Sequence, residues 1–243
     1  MAKTSRNIDG IPNGGRAFRN ATPLAEQAYQ EIKRMFMVNQ LVAGQKLRYQ
    51  DIARRLSMSQ TPVIQALTRL ETEGLVASEA NKGFFVPELD LDEARELYEL
   101  RVVLEGFLIH RAARHVTPDQ LRELRGLVEE HRRVRGEIYT RERLWQDAKL
   151  HLAIASYSRH QSGARFLRQI FERLVLRYRP ERLSRDRMSG AEREHRQIYE
   201  ALCEHDGERA AAVLEGHIVK GGEHILEGLE QDERYRSSFT PWD

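Results

Sequence analysis

Three histidines and one aspartate stand at spacings that could bring them together inside a helical protein. Asp147 and His151 are four residues apart, which places them one turn apart on the same face of a helix. His195 and His217 lie on opposite sides of a predicted turn at Asp206 and Gly207, so two antiparallel helices would set them level with one another. One carboxylate and three imidazoles suit one Zn, Ni, Fe or Mn ion per subunit, with coordination positions left open for an acidic ligand. The alternative is that they are four unrelated side chains in a chain with nine histidines.

Arg101 is a second candidate for ligand chemistry. It falls on the apolar face of a predicted helix and has Glu105 one turn further along. A guanidinium on a buried face suits a carboxylate, because its planar fork donates two parallel hydrogen bonds. That carboxylate belongs either to a small acidic ligand or to Glu105 in a structural ion pair. His224, seven residues after His217, is the substitute metal ligand.

Residues 56–67 have the pattern of the turn and second helix of a helix-turn-helix. Ser59 or Thr61 can cap the helix with a side-chain oxygen, and Pro62 suits its first turn. The apolar positions that repeat at helical spacing are Val63, Ala66, Leu67 and Leu70. The positions turned outward are Gln60, Thr61, Ile64, Gln65 and Thr68. A short polar outer face of this kind fits the major groove of DNA.

The flanking patterns complete a winged helix. Helices are predicted at about residues 24–39 and 50–56, and the recognition helix should end near Glu73 with Gly74 as its C-cap. Two strands, at about residues 75–78 and 84–87, would form the wing.

From residue 90 onward the sequence predicts an antiparallel bundle of about six helices. The first begins with a capping box at Asp90 and Glu93 and ends near His115. Its predicted buried stripe comprises Leu97, Leu100, Leu104, Phe107, Leu108 and Ala112. The other helices are expected at about 118–135, 140–155, 164–180, 190–204 and 207–229. The predicted fold class is therefore mainly α, a winged helix-turn-helix followed by an all-α bundle.

Composition bounds the domain organisation and the classes of partner. The 243 residues have a net charge of +2 and a mean hydropathy of -0.63, and no apolar run is long enough for a membrane helix or a signal peptide, so we expect a cytoplasmic protein with no membrane partner. The basic residues outnumber the acidic ones by four to one in residues 1–20 and by eight to six in residues 21–87, whereas residues 88–243 have 27 basic against 30 acidic residues. The predicted segments are a flexible tail at 1–20, a DNA-binding domain at 21–87, a helical domain for effector, metal and dimerisation at 88–230, and a C-terminal tail at 231–243.

Together these segments resemble the GntR family of transcriptional regulators, in the subgroup with an FCD (FadR C-terminal) domain. The family's winged helix has a run Val-Ser-Arg-Thr-Pro-Val-Arg-Glu-Ala-Leu, which corresponds to residues 58–67 here, followed by Leu70 and by Gly74-Leu75-Val76. The FCD resemblance rests on residues 96–101 with Leu104 and Glu105, on Asp147 and His151, on Glu194 and His195, and on His217 and Ile218. The resemblance implies that Asp147, His151, His195 and His217 bind the metal and that Arg101 faces the effector pocket.

The departures from the family run fall on the residues expected to read DNA. Gln60 and Ile64 replace its two arginines, and Gln50 stands where some relatives have another. Glutamine pairs more readily with adenine, and an aliphatic side chain can cover a thymine methyl group, so the operator should differ from the usual one. Phosphate contacts are expected from Arg48, Arg54, Arg55 and Lys82. Contacts nearer the bases are expected from Gln50, Ser59, Gln60, Thr61, Ile64 and Gln65.

The sequence therefore predicts a bacterial DNA-binding regulator, repressing or activating, that is associated with the nucleoid when bound to DNA. A homodimer would place two recognition helices on a near-palindromic site in double-stranded DNA. A small carboxylate bound at the metal site would control its affinity. One alternative is a metal-dependent enzyme, a hydrolase or oxygenase, although no general base or nucleophile is recognisable beside the site. Another is a regulator that senses the metal itself.

Overall fold

The structure is a computed structural model, and it describes residues 22–80, 83–133, 141–178 and 185–238. Its contacts divide the chain into two compact units. The first contains the described residues up to 35 together with 46–85, and the second contains 36–45 and the residues from 86 onward. The short segment 36–45 belongs to the second unit because the Gly44 N–H donates to the Val86 carbonyl at 2.8 Å and the Val86 N–H donates to the Gln45 carbonyl at 2.9 Å. This assignment of residues 36–45 could not be predicted from sequence, because it depends on hydrogen bonds between backbone groups about 40 residues apart.

The first unit is a winged helix. Its elements in chain order are α1 (Pro23–Met37), β1 (Lys46–Leu47), α2 (Tyr49–Leu56), α3 (Gln60–Thr72), β2 (Ala77–Glu79) and β3 (Gly83–Phe85). The strands form an antiparallel sheet in the order β1-β3-β2. The three helices and the hairpin were predicted, but β1 was not, because two residues are too few to show an alternating pattern. The wing strands are also shorter than predicted, since Leu75 and Val76 are buried before β2 begins.

Helix α3 has the predicted buried face and an unexpected N-terminus. Val63, Leu67 and Leu70 are fully buried. Ser59 is the N-cap residue, but its side chain makes no capping hydrogen bond, and neither does that of Thr61, which lies inside the helix. The side-chain cap predicted from sequence is therefore wrong. An N-cap oxygen usually accepts from the second or third helical N–H, and Pro62 in the third position has no N–H to donate.

The second unit contains six helices among its described residues. They are α4 (Leu91–His115), α5 (Pro118–Arg133), α6 (Arg141–Tyr157), α7 (Gln161–Arg177), α8 (Arg185–Cys203) and α9 (Gly207–Ser238). The Asp90 side chain caps α4 by accepting from the Glu93 N–H at 2.8 Å, as predicted. Helix α7 begins three residues earlier than predicted because the His160 ring accepts from the Gly163 N–H. None of the described helices is both long and apolar enough to cross a membrane.

The predicted end of the last helix, near residue 229, is wrong. Helix α9 continues to Ser238, so most of the segment predicted as a C-terminal tail is helical. The sequence there has no glycine or proline between Leu229 and Ser238, and Arg234 pairs with Glu230 one turn earlier. Such pairs stabilise a helix that packing alone does not hold.

The buried face of α4 also differs from the predicted stripe. Leu97, Leu108 and Ala112 are buried as expected, but Leu100 and Phe107 are exposed. The buried positions between Leu97 and Leu108 are instead occupied by Arg101 and Glu105. The apolar residues of α4 thus cover more than one face, and a charged pair occupies part of the face that packs inward. This arrangement brings both charged side chains toward the middle of the bundle.

Candidate metal centre and DNA-binding surface

Asp147 and the three predicted histidines meet in the interior of the second unit. Asp147 and His151 lie on α6, His195 on α8 and His217 on α9. All four are buried, and one ligand atom from each lies within 4.8 Å of the others. The Nε2 atoms of His151 and His195 are 3.2 and 3.3 Å from Nε2 of His217. Asp147 Oδ1 is 3.1 Å from Nε2 of His195. The four residues predicted from their spacing in the sequence are therefore the ones that the structure brings together.

Two further carboxylates orient the histidine rings. Glu105 Oε2 lies 2.5 Å from Nδ1 of His151, and Glu194 Oε2 lies 2.9 Å from Nδ1 of His217. A carboxylate on Nδ1 holds the proton there and leaves the Nε2 lone pair facing the cluster. Glu194 also accepts from Lys220 Nζ at 2.9 Å. In both rings the carboxylate thus favours the tautomer whose Nε2 lone pair is available to a metal ion.

The charges of the cluster favour an ionised aspartate and a neutral histidine. Burial alone would raise the pKa of Asp147, but the surrounding imidazoles of His151, His195 and His217 favour its ionised form and hold that pKa well below its usual range. Burial, followed by repulsion from His217, lowers the pKa of His195 well below its ordinary value. A metal ion binds these same forms, a carboxylate and a neutral imidazole.

These observations fit a divalent transition metal. Two imidazole nitrogens that each lie about 2.1 Å from one ion, at octahedral or tetrahedral angles, are about 3.0–3.4 Å apart. The separations from His217 Nε2 to the other two Nε2 atoms fall in that interval. The His195 ring is further confined by the ring of His131, which packs edge-on against it with centroids 4.6 Å apart. Asp147, His151, His195 and His217 are thus suited to hold the ion.

Arg101 forms an ion pair with Glu105 and keeps one further hydrogen-bond donor without an acceptor among the described residues. It is 3% exposed, and its Nε donates to Glu105 Oε1 at 2.8 Å. Its guanidinium also stacks on Phe171, with 4.3 Å from Cζ to the ring centroid. Burial opposes its charge, but attraction by Glu105, Tyr98 and Asp147 outweighs burial and raises the pKa of Arg101, so it stays protonated. No acceptor among the described residues reaches its buried Nη2 atom.

A small cavity of about 30 Å³ joins Arg101 to the histidine cluster. Its lining residues are Tyr98, Arg101, Leu144, Asp147, Ala191, His217, Ile218, Gly221, His224 and Ile225. The cavity therefore has a guanidinium and two of the four candidate ligands on its wall, with apolar side chains between them. His224 lines this cavity but does not belong to the group of four.

The DNA-binding candidates of the first unit lie on exposed positions of α2 and α3 and at their N-termini. The exposed residues are Arg48, Gln50, Arg54, Arg55, Ser59, Gln60, Thr61, Ile64 and Gln65. Lys82 lies outside the described residues. The Ser59 side chain makes no capping hydrogen bond. Arg54, which is a candidate for phosphate contact, forms an exposed ion pair with Asp51 at 3.3 Å. The outward face predicted for the recognition helix is thus the face that the structure presents.

Two contacts made by buried carboxylates were not predicted from the sequence. Glu105 was considered only as a partner for Arg101, although it also holds His151. Glu194 was noted only as part of a motif, although it holds His217. The available signal was spacing, because Glu105 follows Arg101 by one turn and Glu194 adjoins His195.

Comparison with known proteins finds one family model for the winged helix and another for the helical unit. The family described as bacterial regulatory proteins, gntR family, matches residues 24–86, and the FCD domain matches residues 96–220. The Nta operon transcriptional regulator of Aminobacter aminovorans is 31% identical over 188 residues, which cover 76% of this chain and 86% of that protein. The regulator McbR of Escherichia coli is 28% identical over 157 residues, covering 65% of this chain and 69% of that protein.

Solved structures share the fold. The structure of E. coli McbR has a TM-score of 0.73 at 22% identity and covers 85% of this chain and 99% of its own. A GntR regulator from Rhodococcus has a TM-score of 0.70 at the same identity and the same coverage.

The fold and the site define a DNA-binding transcriptional regulator, with a winged helix and a helical domain that carries a candidate metal centre. The chain belongs to the GntR family, in the subgroup with an FCD domain. The relatives and structural neighbours named here are transcriptional regulators, which favours regulation over the alternative of a metal-dependent hydrolase or oxygenase.

Proposed function

We propose that this regulator senses a small organic acid, which binds beside a metal ion held by Asp147, His151, His195 and His217. The observation that carries the proposal is the buried Nη2 atom of Arg101, which reaches no acceptor among the described residues. An unsatisfied buried donor is destabilising, by about 1–3 kcal/mol or more for a charged group. A ligand carboxylate would supply the missing acceptor.

The protein groups around this donor are arranged for an anion. Glu105 holds the guanidinium through Nε, while the buried Nη2 reaches no acceptor among the described residues. Stacking of Arg101 on Tyr98 and Phe171 restricts its orientation further. A preorganised guanidinium loses little conformational freedom when a carboxylate binds. The metal, when bound, supplies a Lewis-acidic site with positions open to carboxylate oxygens.

The size of the cavity links binding to rearrangement. A volume of about 30 Å³ accommodates one or two water molecules and is too small for an organic acid. Effector binding must therefore displace lining residues such as Leu144 of α6 or Ile225 of α9. A ligand that binds the displaced arrangement more tightly shifts the population toward it. That shift would couple the site to the affinity for DNA.

The DNA-bound form is proposed to be a homodimer in the bacterial cytoplasm. Each subunit would place α3 in the major groove of one half of a near-palindromic site. Arg48, Arg54 and Arg55 would contact phosphates together with Lys82. Gln50, Ser59, Gln60, Thr61, Ile64 and Gln65 would lie nearer the bases. Because Gln60 and Ile64 replace arginines of the family run, the operator is expected to be less rich in guanine contacts.

The test measures operator affinity with metal and acid varied separately. DNA fragments retained by the full-length protein are sequenced to obtain an operator, and fluorescence anisotropy then gives its affinity with a panel of mono-, di- and tricarboxylates. The proposal expects one class of acid to change the affinity of native, metal-loaded protein but not that of the Arg101→Lys variant. Arg95→Lys, on the exposed part of the same helix, is the matched control.

Two results would contradict the proposal. A change in DNA affinity on adding or removing metal, with no effect of any acid, would favour a regulator that senses the metal itself. An equal acid response in the native protein and the Arg101→Lys variant would remove Arg101 from the effector site.

A further inference from the structure

The covalent links between the two units run through one short region of the second unit. The chain passes from one unit to the other after residues 35, 45 and 85. Residues 36–45 and 86–90 are therefore named the connector. Its two parts are joined by the backbone hydrogen bonds that link Val86 to Gly44 and Gln45. A change in the second unit can reach the winged helix along the chain only through the connector.

Arg177, the last residue of α7, holds the connector. Its side chain is buried, and its Nη2 donates to the Glu88 carbonyl at 2.7 Å. Its Nε donates to the Pro87 carbonyl at 3.2 Å. Its Nη1 donates to the carboxylate of Glu93, in the first turn of α4, at 2.6 Å. One buried guanidinium thus fixes α7, the connector and the start of α4 relative to one another, because a lost acceptor would leave a buried charged donor unsatisfied.

An apolar cluster joins the connector to the wall of the cavity beside Arg101. Leu89 of the connector is buried in the same cluster as Leu174 of α7 and Ile225 of α9. Ile225 also lines the cavity, and so does Leu144, which packs against the cluster. An organic acid is too large for this cavity and must displace such lining residues. Because protein interiors are close-packed, that displacement must repack the cluster around Leu89.

Helix α7 contacts both the candidate effector site and the connector. Phe171 stacks on the Arg101 guanidinium, and Arg177 follows Phe171 by six residues. At about 1.5 Å per residue, the two positions are about 9 Å apart along the helix axis. A helix of this length moves as one body, so a shift at Phe171 is carried to Arg177.

We propose that Arg177 couples the effector site to the winged helix by fixing the connector to α7. The inference rests on the proposed function and adds the residue through which the site regulates DNA binding. When an acid displaces the cavity wall, α7 and the apolar cluster shift, and Arg177 moves the connector with them. Arg177 is a positioning residue in this scheme, since it holds the connector and not the acid.

The first experiment needs no acid. Hydrogen–deuterium exchange of the full-length protein follows the amides of Gly44 and Val86, with the Leu121 amide at the start of α5 as an internal reference. Ile225→Ala, which truncates a side chain of the cavity wall, should speed exchange at both connector amides by about 10-fold relative to the reference. In the Arg177→Gln background the same truncation should change their exchange by less than about 2-fold, because the connector is already released from α7.

Arg209→Gln is the matched control. Arg209 also forms an ion pair at 2.6 Å, with Glu204, but its side chain is 40% exposed. This variant should leave both the exchange of the connector and the effect of Ile225→Ala at native values. Arg177→Lys keeps a charge but lacks the planar fork that reaches two carbonyls, so it should give an intermediate effect. It takes the place of Arg177→Gln if circular dichroism shows that the glutamine variant does not fold.

The second experiment adds acids to Zn²⁺-loaded protein. Acetate, succinate and citrate are titrated by calorimetry without DNA and by fluorescence anisotropy on the operator. Arg177→Gln should bind an acid within about 3-fold of the native affinity, whereas the change that this acid causes in operator affinity should fall by about 10-fold or be lost. A purely structural defect would weaken the binding of the acid as well, and that result would overturn the coupling role.

The remaining outcomes separate the coupling from acid sensing itself. Additive effects of Ile225→Ala and Arg177→Gln on connector exchange would overturn the coupling and leave acid sensing in place. An equal acid response of operator affinity in the native protein and Arg177→Gln would do the same. If none of the acids binds the native protein or alters its operator affinity, acid sensing fails, and the exchange measurements alone decide the coupling.

Discussion

Replacement of Glu105 by glutamine should weaken metal binding and destabilise the second unit, because this carboxylate has two buried partners. One oxygen accepts from Arg101 Nε and the other lies against His151 Nδ1. An amide has a single acceptor oxygen, so either Arg101 or His151 would face an NH₂ group. Burial would raise the pKa of Glu105, but attraction by His151 and Arg101 outweighs burial and lowers it, so we expect the carboxylate to be ionised.

The size of the effect follows from the burial of the pair. Both Arg101 and Glu105 are 3% exposed, so the variant leaves a guanidinium buried without its counter-charge. Removing one partner of a buried pair destabilises a protein by about 3–5 kcal/mol. For a unit of roughly 150 residues this corresponds to a fall of about 6–20 °C in the melting temperature. Loss of the carboxylate behind a ligating histidine should also weaken metal binding by about 10–100-fold.

Glu194→Gln is the matched control for these two effects. Glu194 supports His217 in the same way, but its charged partner is Lys220, whose side chain is 60% exposed. Its loss should therefore weaken metal binding while changing the stability of the metal-free protein by only about 1 kcal/mol or less. Arg101→Met combined with Glu105→Gln should recover much of the lost stability, because no uncompensated charge stays buried.

The assays are thermal unfolding of chelator-treated protein followed by circular dichroism, and competition for metal with a chromogenic chelator. Two results would contradict the claim that Arg101 stays buried and charged without Glu105. One is a melting temperature of Glu105→Gln equal to that of the native protein, and the other is an equal loss of stability in Glu105→Gln and Glu194→Gln. Unchanged metal affinity in both variants would show that the two carboxylates do not support the ligands.

Three further predictions concern DNA reading, the effector and pH. Replacing Gln60 and Ile64 with arginine should shift selectivity toward guanine by about 1–3 kcal/mol per bidentate contact, measured on operator variants. Equal binding to all operator variants would show that these positions do not read bases. Arg101→Lys should reduce the effector response while leaving the DNA affinity of the free protein nearly unchanged, and loss of folding would indicate a purely structural role. Metal-free protein should lose stability as pH falls below about 6.5, because His195 takes up a proton in the unfolded chain but not in the folded one. His195 should contribute about 1.4 kcal/mol of this loss per pH unit. Denaturant titrations at several pH values should show a shallower dependence for His195→Gln.

Local patterns were sufficient to predict much of the site. The four-residue spacing of Asp147 and His151 places them on one helical face. The turn at Asp206 and Gly207 lies about midway between His195 and His217, so the two antiparallel helices set these residues side by side. These relations depend on helix geometry alone. The role of Glu105 toward His151 depends instead on the approach of α4 to α6, which no spacing within either helix specifies.

The fold shows the same limit. Apolar periodicity predicted α4 but placed Leu100 and Phe107 in the core, because periodicity cannot distinguish a face that packs within the subunit from one that remains exposed. The missing cap at Ser59 has a local cause in Pro62 that the sequence already contained. The two-residue strand β1 could not be predicted, since its partner β3 lies more than 30 residues away.

Elemental analysis decides whether Asp147, His151, His195 and His217 hold a metal ion. Full-length protein purified without chelator should contain about one divalent transition metal per subunit. The double variant His195→Ala, His217→Ala should contain almost none, and His224→Ala should retain the native amount. Equal metal content in the native protein and the double variant would contradict the assignment.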